Sequence, residues 1–235
     1  MKRIILNCIS ILISIFLIIS SSYSHEINKD KIVTIVKKFL KENPEFIKST
    51  LDNYKITLEN QTKQKAIKLL KGIKNPGVFR KQADVTIYEF FDYNCGYCKS
   101  VVKTIMDVLS VDKKINFVFV EFPILSEQSY IAAKAALASK KQGLYNQFHL
   151  SLMKIKGRVD KEKVFSTAKK VGLDIDKLKL DMINPEIEQN LMKNREIAKL
   201  LGLNGTPAFI IGDIIYPGAL KSNNLKEIIK KFRES

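Results

Sequence analysis

At 235 residues, 46% of them apolar and 27% charged, the chain can bury one well-packed domain plus an appendage, and its composition excludes global disorder. Its formal charge of +16 raises the question of nucleic-acid or acidic-membrane partners. The lysines are scattered among abundant isoleucine, with no recognition motif or basic–aromatic alternation, so nucleic acid is not an expected partner.

The first 24 residues have the layout of a secretory signal peptide. Lys2 and Arg3 precede an almost wholly apolar run over 4–19, and Ser20 to Ser24 supply small residues, with Ser22 and Ser24 at −3 and −1 of a cut after Ser24. An uncleaved anchor is the competing reading, because a run of about 16 residues is marginal for spanning a bilayer. Cleavage predicts an exported protein, placed in the periplasm, with charge +14 and two cysteines, Cys95 and Cys98. That compartment lets disulfides persist.

Residues 25–77 read as a helical arm. Apolar residues recur at helical spacing over 29–40, Asn43-Pro44 interrupts the rhythm, and a second helix follows over 45–71. Asn75-Pro76-Gly77 closes it. The arm must bury its stripe on the domain behind it or on another subunit, so a homo-oligomer through 25–77 stands as one of two outcomes.

The main domain is expected over 78–235. Val85 to Phe91 is a β-rich run, a helix follows from Cys95 to about 109, and 115–122 forms a second strand ended by Pro123. Strand, helix, strand implies a right-handed βαβ unit on a parallel sheet. A helical insertion fills about 126–201, broken near Gly143, Gly157, Gly172 and Asn184-Pro185. Ala208 to Ile211, a Gly212-Asp213 turn and Ile214 to Tyr216 then read as a hairpin, and a last helix starts with Ser222 as its N-cap.

Cys95-Gly96-Tyr97-Cys98 carries the chemistry. Two cysteines one helical turn apart are within disulfide reach, and a sulfur at a helix N-terminus is favoured as thiolate. Cys95 is the expected nucleophile and Cys98 the resolving thiol. Structural zinc would need two further ligands, and the mature chain offers only the distant His25 and His149; no metal and no cofactor is expected. Glu89, six residues before Cys95, is a candidate proton relay if buried and a solvated strand-end carboxylate if not; Asp92 is a weaker second. Gly205-Thr206-Pro207 before a strand suits a cis X-Pro loop that pairs with an extended substrate. His149 reads as an ordinary helix residue.

In that order these motifs resemble the DsbA-like branch of the thioredoxin superfamily, over about 84–233. Glu121-Phe122-Pro123-Ile124-Leu125 is similar to the ScsC-like subgroup, and the Ile/Lys bias and layout resemble protein-disulfide oxidoreductases of rickettsial-type bacteria. The resemblance implies an α/β thioredoxin-like fold with a helical insertion and periplasmic disulfide exchange on exported, cysteine-bearing proteins. It also implies a membrane or soluble redox partner, and Pro207 in cis. Gly96-Tyr97 stands where DsbA oxidases carry Pro-His, and Thr206 where they carry valine; both resemble the isomerase DsbC. Formation or isomerisation of disulfides is therefore the expected activity, with direction open. The alternative is a non-catalytic envelope or chaperone-like protein whose CxxC is vestigial or structural.

Overall fold

A computed structural model describes residues 29–234; the expected signal segment, with His25, lies outside the described residues. The chain divides into two compact units at Leu58/Glu59. In the first, α1 (Lys29–Glu42) is followed by α2 (Pro44–Gly72), which continues into the second unit. The Asn43 side chain turns back to the Phe39 carbonyl, donating at 2.8 Å, and Phe39 packs edge-on against Phe46 across the break.

The expected boundary at 77/78 differs from this division for a physical reason. Ala66, Ile67 and Leu70, at the end of α2, are buried against Val118, Val120 and Ile210 of the sheet. The last turns of the arm helix thus belong to the domain.

The second unit is a five-stranded mixed sheet in the order β1-β3-β2-β4-β5. β2 (Val85–Phe91) and β3 (Ile115–Glu121) are parallel, joined by α3 (Gly96–Val111), as the βαβ reading predicts. β4 (Ala208–Ile211) runs antiparallel to β2 and makes the expected hairpin with β5 (Ile214–Pro217). The short β1 (Gly77–Val78), not expected from sequence, pairs antiparallel with β3. Gly77 is required there, since a Cβ would sit 2.2 Å from the Phe117 carbonyl oxygen.

Alternation along the strands feeds two cores. Ile87, Phe91, Phe117, Phe119, Phe209 and Ile211 face the core shared with α3 and the insertion, while Phe90, Val118, Val120, Ala208 and Ile210 face the end of α2. The insertion comprises α4 (Glu127–Ser139), a short 3-10 turn, α5 (Tyr145–Met153), α6 (Lys161–Lys170), α7 (Ile175–Met182) and α8 (Pro185–Leu200). Its breaks fall where expected: Gly143, Gly157 and Gly172 take left-handed backbone, and Asn184 caps α8 with Pro185 at its first position. The C-terminal α9 (Ser222–Glu234) already includes Ser222 as a helical residue, and the Lys221 carbonyl accepts its first closing bond from Leu225. Ser222 is thus not the cap.

Candidate active site

Cys95 occupies the N-cap of α3, with extended backbone, and its Sγ accepts the Cys98 N–H at 3.2 Å. A capping position normally holds an oxygen acceptor; here sulfur takes that place and receives both the hydrogen bond and the positive end of the helix dipole. Cys95 is nearly buried, both cysteines are thiols in this structure, and Tyr97 between them is 72% exposed. The Cys98 side chain first, then the nearby Thr206 hydroxyl and the helix backbone N–H groups, outweigh burial and lower the Cys95 thiol to about 6. Cys98 goes the other way: burial raises it strongly, reinforced by its bond to Cys95 and by Glu89. One sulfur is poised as thiolate and the other is held as thiol.

The sheet brings the third element to the pair. Because Ala208 pairs with Phe90 and Phe209 with Glu89, the loop before β4 meets the end of β2 where the CxxC emerges. The Thr206–Pro207 bond is cis, and the Cys95 thiol donates to the Thr206 carbonyl at 3.1 Å. The Thr206 hydroxyl is buried without a partner in hydrogen-bonding geometry, yet it lies close enough to lower both thiols.

Glu89 is buried, not solvated at a strand end, and its Oε1 has no hydrogen-bond partner. Burial, with the nearby Cys95, raises its carboxyl to about 8. Asp92 is also buried, but its oxygens are occupied. Oδ1 accepts the Asn94 N–H at 2.7 Å, and Oδ2 accepts the N–H groups of Ile124 and Leu125, each at 3.0 Å. Asp92 therefore ties the loop after β3 to the active-site loop, rather than relaying protons.

The reading of His149 as an ordinary helix residue is corrected. It is buried, its Nδ1 lies 3.0 Å from the Tyr93 hydroxyl, and its ring stacks on Tyr145. The Tyr93 and Tyr145 hydroxyls both donate to Glu121 Oε1, at 2.9 and 2.8 Å. Sequence reasoning missed this cluster because its members come from three separate parts of the chain: the loop after β2, the end of β3, and α5. The one available signal was a glutamate ending an otherwise apolar strand.

The comparisons agree with the geometry. The family model for the DSBA-like thioredoxin domain matches residues 86–230. A thioredoxin-like oxidoreductase from Silicibacter pomeroyi is 37% identical, covering 68% of this chain and 92% of that one, with TM-score 0.66. The thiol-disulfide exchange protein alpha-DsbA2 from Wolbachia pipientis is 28% identical over 74% of this chain and 96% of its own, with TM-score 0.69. The catalytic domain of Proteus mirabilis ScsC is 27% identical over 75% and 99%, with TM-score 0.69. The chain spans only 20% of the Na(+)/H(+) antiporter NhaA 1 of Salinispora arenicola, a curated relative 25% identical over 133 residues. The family match covers more than half of the chain, and with it the cap cysteine, its buried partner and the cis-proline loop. This protein belongs to the DSBA-like thioredoxin-domain family of thiol–disulfide oxidoreductases.

Proposed function

We propose that the protein catalyses formation or isomerisation of disulfide bonds in exported proteins, in the periplasm. The observation that carries this reading is the Cys95 sulfur, capped by the Cys98 N–H and set 3.1 Å from the Thr206 carbonyl.

The Cys95 thiolate attacks one sulfur of a client disulfide; that S–S bond breaks, a mixed disulfide forms, and the released client thiolate takes a proton. Attack by that client thiolate on another client disulfide, followed by return to the mixed disulfide, isomerises the client and regenerates Cys95. Alternatively the fraction of Glu89 that is ionised, its carboxyl being raised to about 8, takes the proton of Cys98, which attacks Cys95 Sγ, leaving an oxidised Cys95–Cys98 pair and a client reduced by two electrons. The reverse sequence oxidises the client and requires a redox partner that withdraws electrons from the pair. The Thr206 carbonyl, which accepts the Cys95 thiol at 3.1 Å in the resting protein, is released when Cys95 ionises and then accepts an N–H of an extended client segment.

Gly96-Tyr97 places no charge and no ring nitrogen between the cysteines, which favours a less oxidising pair and shifts weight towards isomerisation. A homo-oligomer fits that role, and in the first unit Ile35, Phe46, Leu51 and Tyr54 are exposed apolar residues that a second copy would cover. The test compares rates on scrambled and reduced ribonuclease. Catalysis of either that is lost in Cys95→Ser supports the reading; unchanged activity in Cys95→Ser overturns it. Light scattering of the full chain and of Leu51→Lys tests assembly: an oligomer that dissociates is expected, and a wild-type monomer refutes the oligomeric form.

A further inference from the structure

One flank of the CxxC is built against the loop between α5 and α6, and the proposed chemistry makes no use of it. Asn94, just before Cys95, grips this loop from one side. Its Oδ1 accepts the Val159 N–H at 2.7 Å, and its Nδ2 lies 3.1 Å from both the Val159 carbonyl and Ser129 Oγ. Lys99, just after Cys98, grips it from the other. Its Nζ donates to the carbonyls of Ile155, at 2.9 Å, and Gly157, at 2.6 Å. Four polar contacts thus fix the loop beside the reacting sulfur, and Val159 is buried beneath it.

The loop is strongly basic. Residues 154–163 read Lys-Ile-Lys-Gly-Arg-Val-Asp-Lys-Glu-Lys, five cations against two anions. Asp160 is committed to the first turn of α6, where Oδ1 accepts the Lys163 N–H at 2.8 Å and Oδ2 lies 3.7 Å from Lys163 Nζ. Lys154, Lys156, Arg158 and Lys161 are exposed and take part in none of the salt bridges among the described residues. Lys99 adds a further charge; burial, and after it repulsion from Lys163, lower its ammonium. Cations in extended solvated side chains usually mean little. Here the backbone that carries them is docked beside the nucleophile, and the cations of this stretch outnumber its acids five to two.

We propose that the loop 154–161 is a client-reading surface that selects polypeptides with acidic residues flanking the reacting cysteine. This rests on the thiol–disulfide exchange proposed above. A segment laid along the cis-proline loop with its sulfur at Cys95 extends beside this rim, and carboxylates there meet unpaired cations.

The test uses the full chain and three disulfide-linked cysteine peptides that differ only in flanks: acidic, neutral or basic. At low salt the acidic peptide should react roughly tenfold faster than the neutral one and the basic one more slowly, with the spread collapsing near 1 M salt. The variant Lys154→Gln/Lys156→Gln/Arg158→Gln should lose the preference while keeping its rate with excess 2-hydroxyethyl disulfide, which is uncharged. A control, Lys226→Gln/Lys230→Gln/Lys231→Gln, changes the same charge beside the far end of α3 and should keep the preference. Equal rates for the three peptides overturn the proposal, as does a preference that survives in the loop variant or vanishes equally in the control. Failure of excess 2-hydroxyethyl disulfide to react with the wild type would instead remove the exchange chemistry itself.

Discussion

Two buried glutamates lie one strand apart and are treated differently by their surroundings. Glu121 closes β3 and receives two phenolic hydroxyls, from Tyr93 and Tyr145, on one oxygen. Glu89, in the middle of β2, is equally buried, and its Oε1 receives nothing. Burial raises both carboxyls, Glu121 well above the usual carboxylate range although the two phenols oppose it, while the proximity of Cys95 adds to the rise at Glu89. A satisfied carboxyl joins strands and helices. An unsatisfied one beside two sulfurs, raised to about 8, can give and take a proton near neutral pH, and its desolvation is a stability cost accepted for function.

This contrast predicts its largest effect at Glu121. Glu121→Ala leaves a cavity and removes the acceptor of two buried hydroxyls, so chemical denaturation should show a loss of about 4 kcal/mol. Glu121→Gln, which keeps an acceptor, should cost far less. If the two variants lose equally little, Glu121 is not the joint described here.

Glu89 should respond with the opposite sign. Its folded carboxyl, raised to about 8, binds a proton that the unfolded chain releases above its ordinary value of 4.5. Its contribution is therefore full below pH 4.5 and declines as pH rises towards about 8, reaching about 3 kcal/mol of lost stability by pH 7. In Glu89→Gln that part of the pH slope should disappear, making the variant more stable than wild type at neutral pH, while attack by Cys98 slows. A variant with an unchanged pH slope and unchanged exchange rate would erase the distinction between the two carboxyls.

The smallest of the three effects concerns His149, which supports the satisfied cluster. Burial lowers its imidazole from 6.5 to about 3, so the unfolded chain takes up a proton that the folded protein refuses. Stability falls as pH drops through 6.5, by about 2 kcal/mol at pH 5. His149→Phe should flatten this acid limb in denaturant melts recorded across pH. At neutral pH the cost should be modest, because Tyr93 keeps its bond to Glu121.

The sequence exposed whatever was local. Cys95 and Cys98 meet within one helical turn, the breaks at Gly143, Gly157, Gly172 and Pro185 follow from backbone chemistry, and β-rich apolar runs in strand–helix–strand order revealed the parallel pair. Thr206-Pro207 is a local motif too, although only the sheet register explains how it reaches a cysteine 111 residues earlier. Contacts between distant residues left no pattern to read. Tyr93 meets His149 across 56 residues, and Asn94 meets Val159 across 65. The two residues of β1 are too few to show a period, and the end of α2 keeps its helical rhythm whether it packs on the sheet or not.

The central claim is that α3 holds Cys95 as a thiolate at neutral pH while Cys98 stays protonated. Titration of the reduced protein by its ultraviolet thiolate absorbance, with Cys98→Ser and Cys95→Ser as references, tests it directly. A transition near pH 6 that vanishes in Cys95→Ser is the expected result. A Cys95 transition near 9, the ordinary thiol value, would contradict the account.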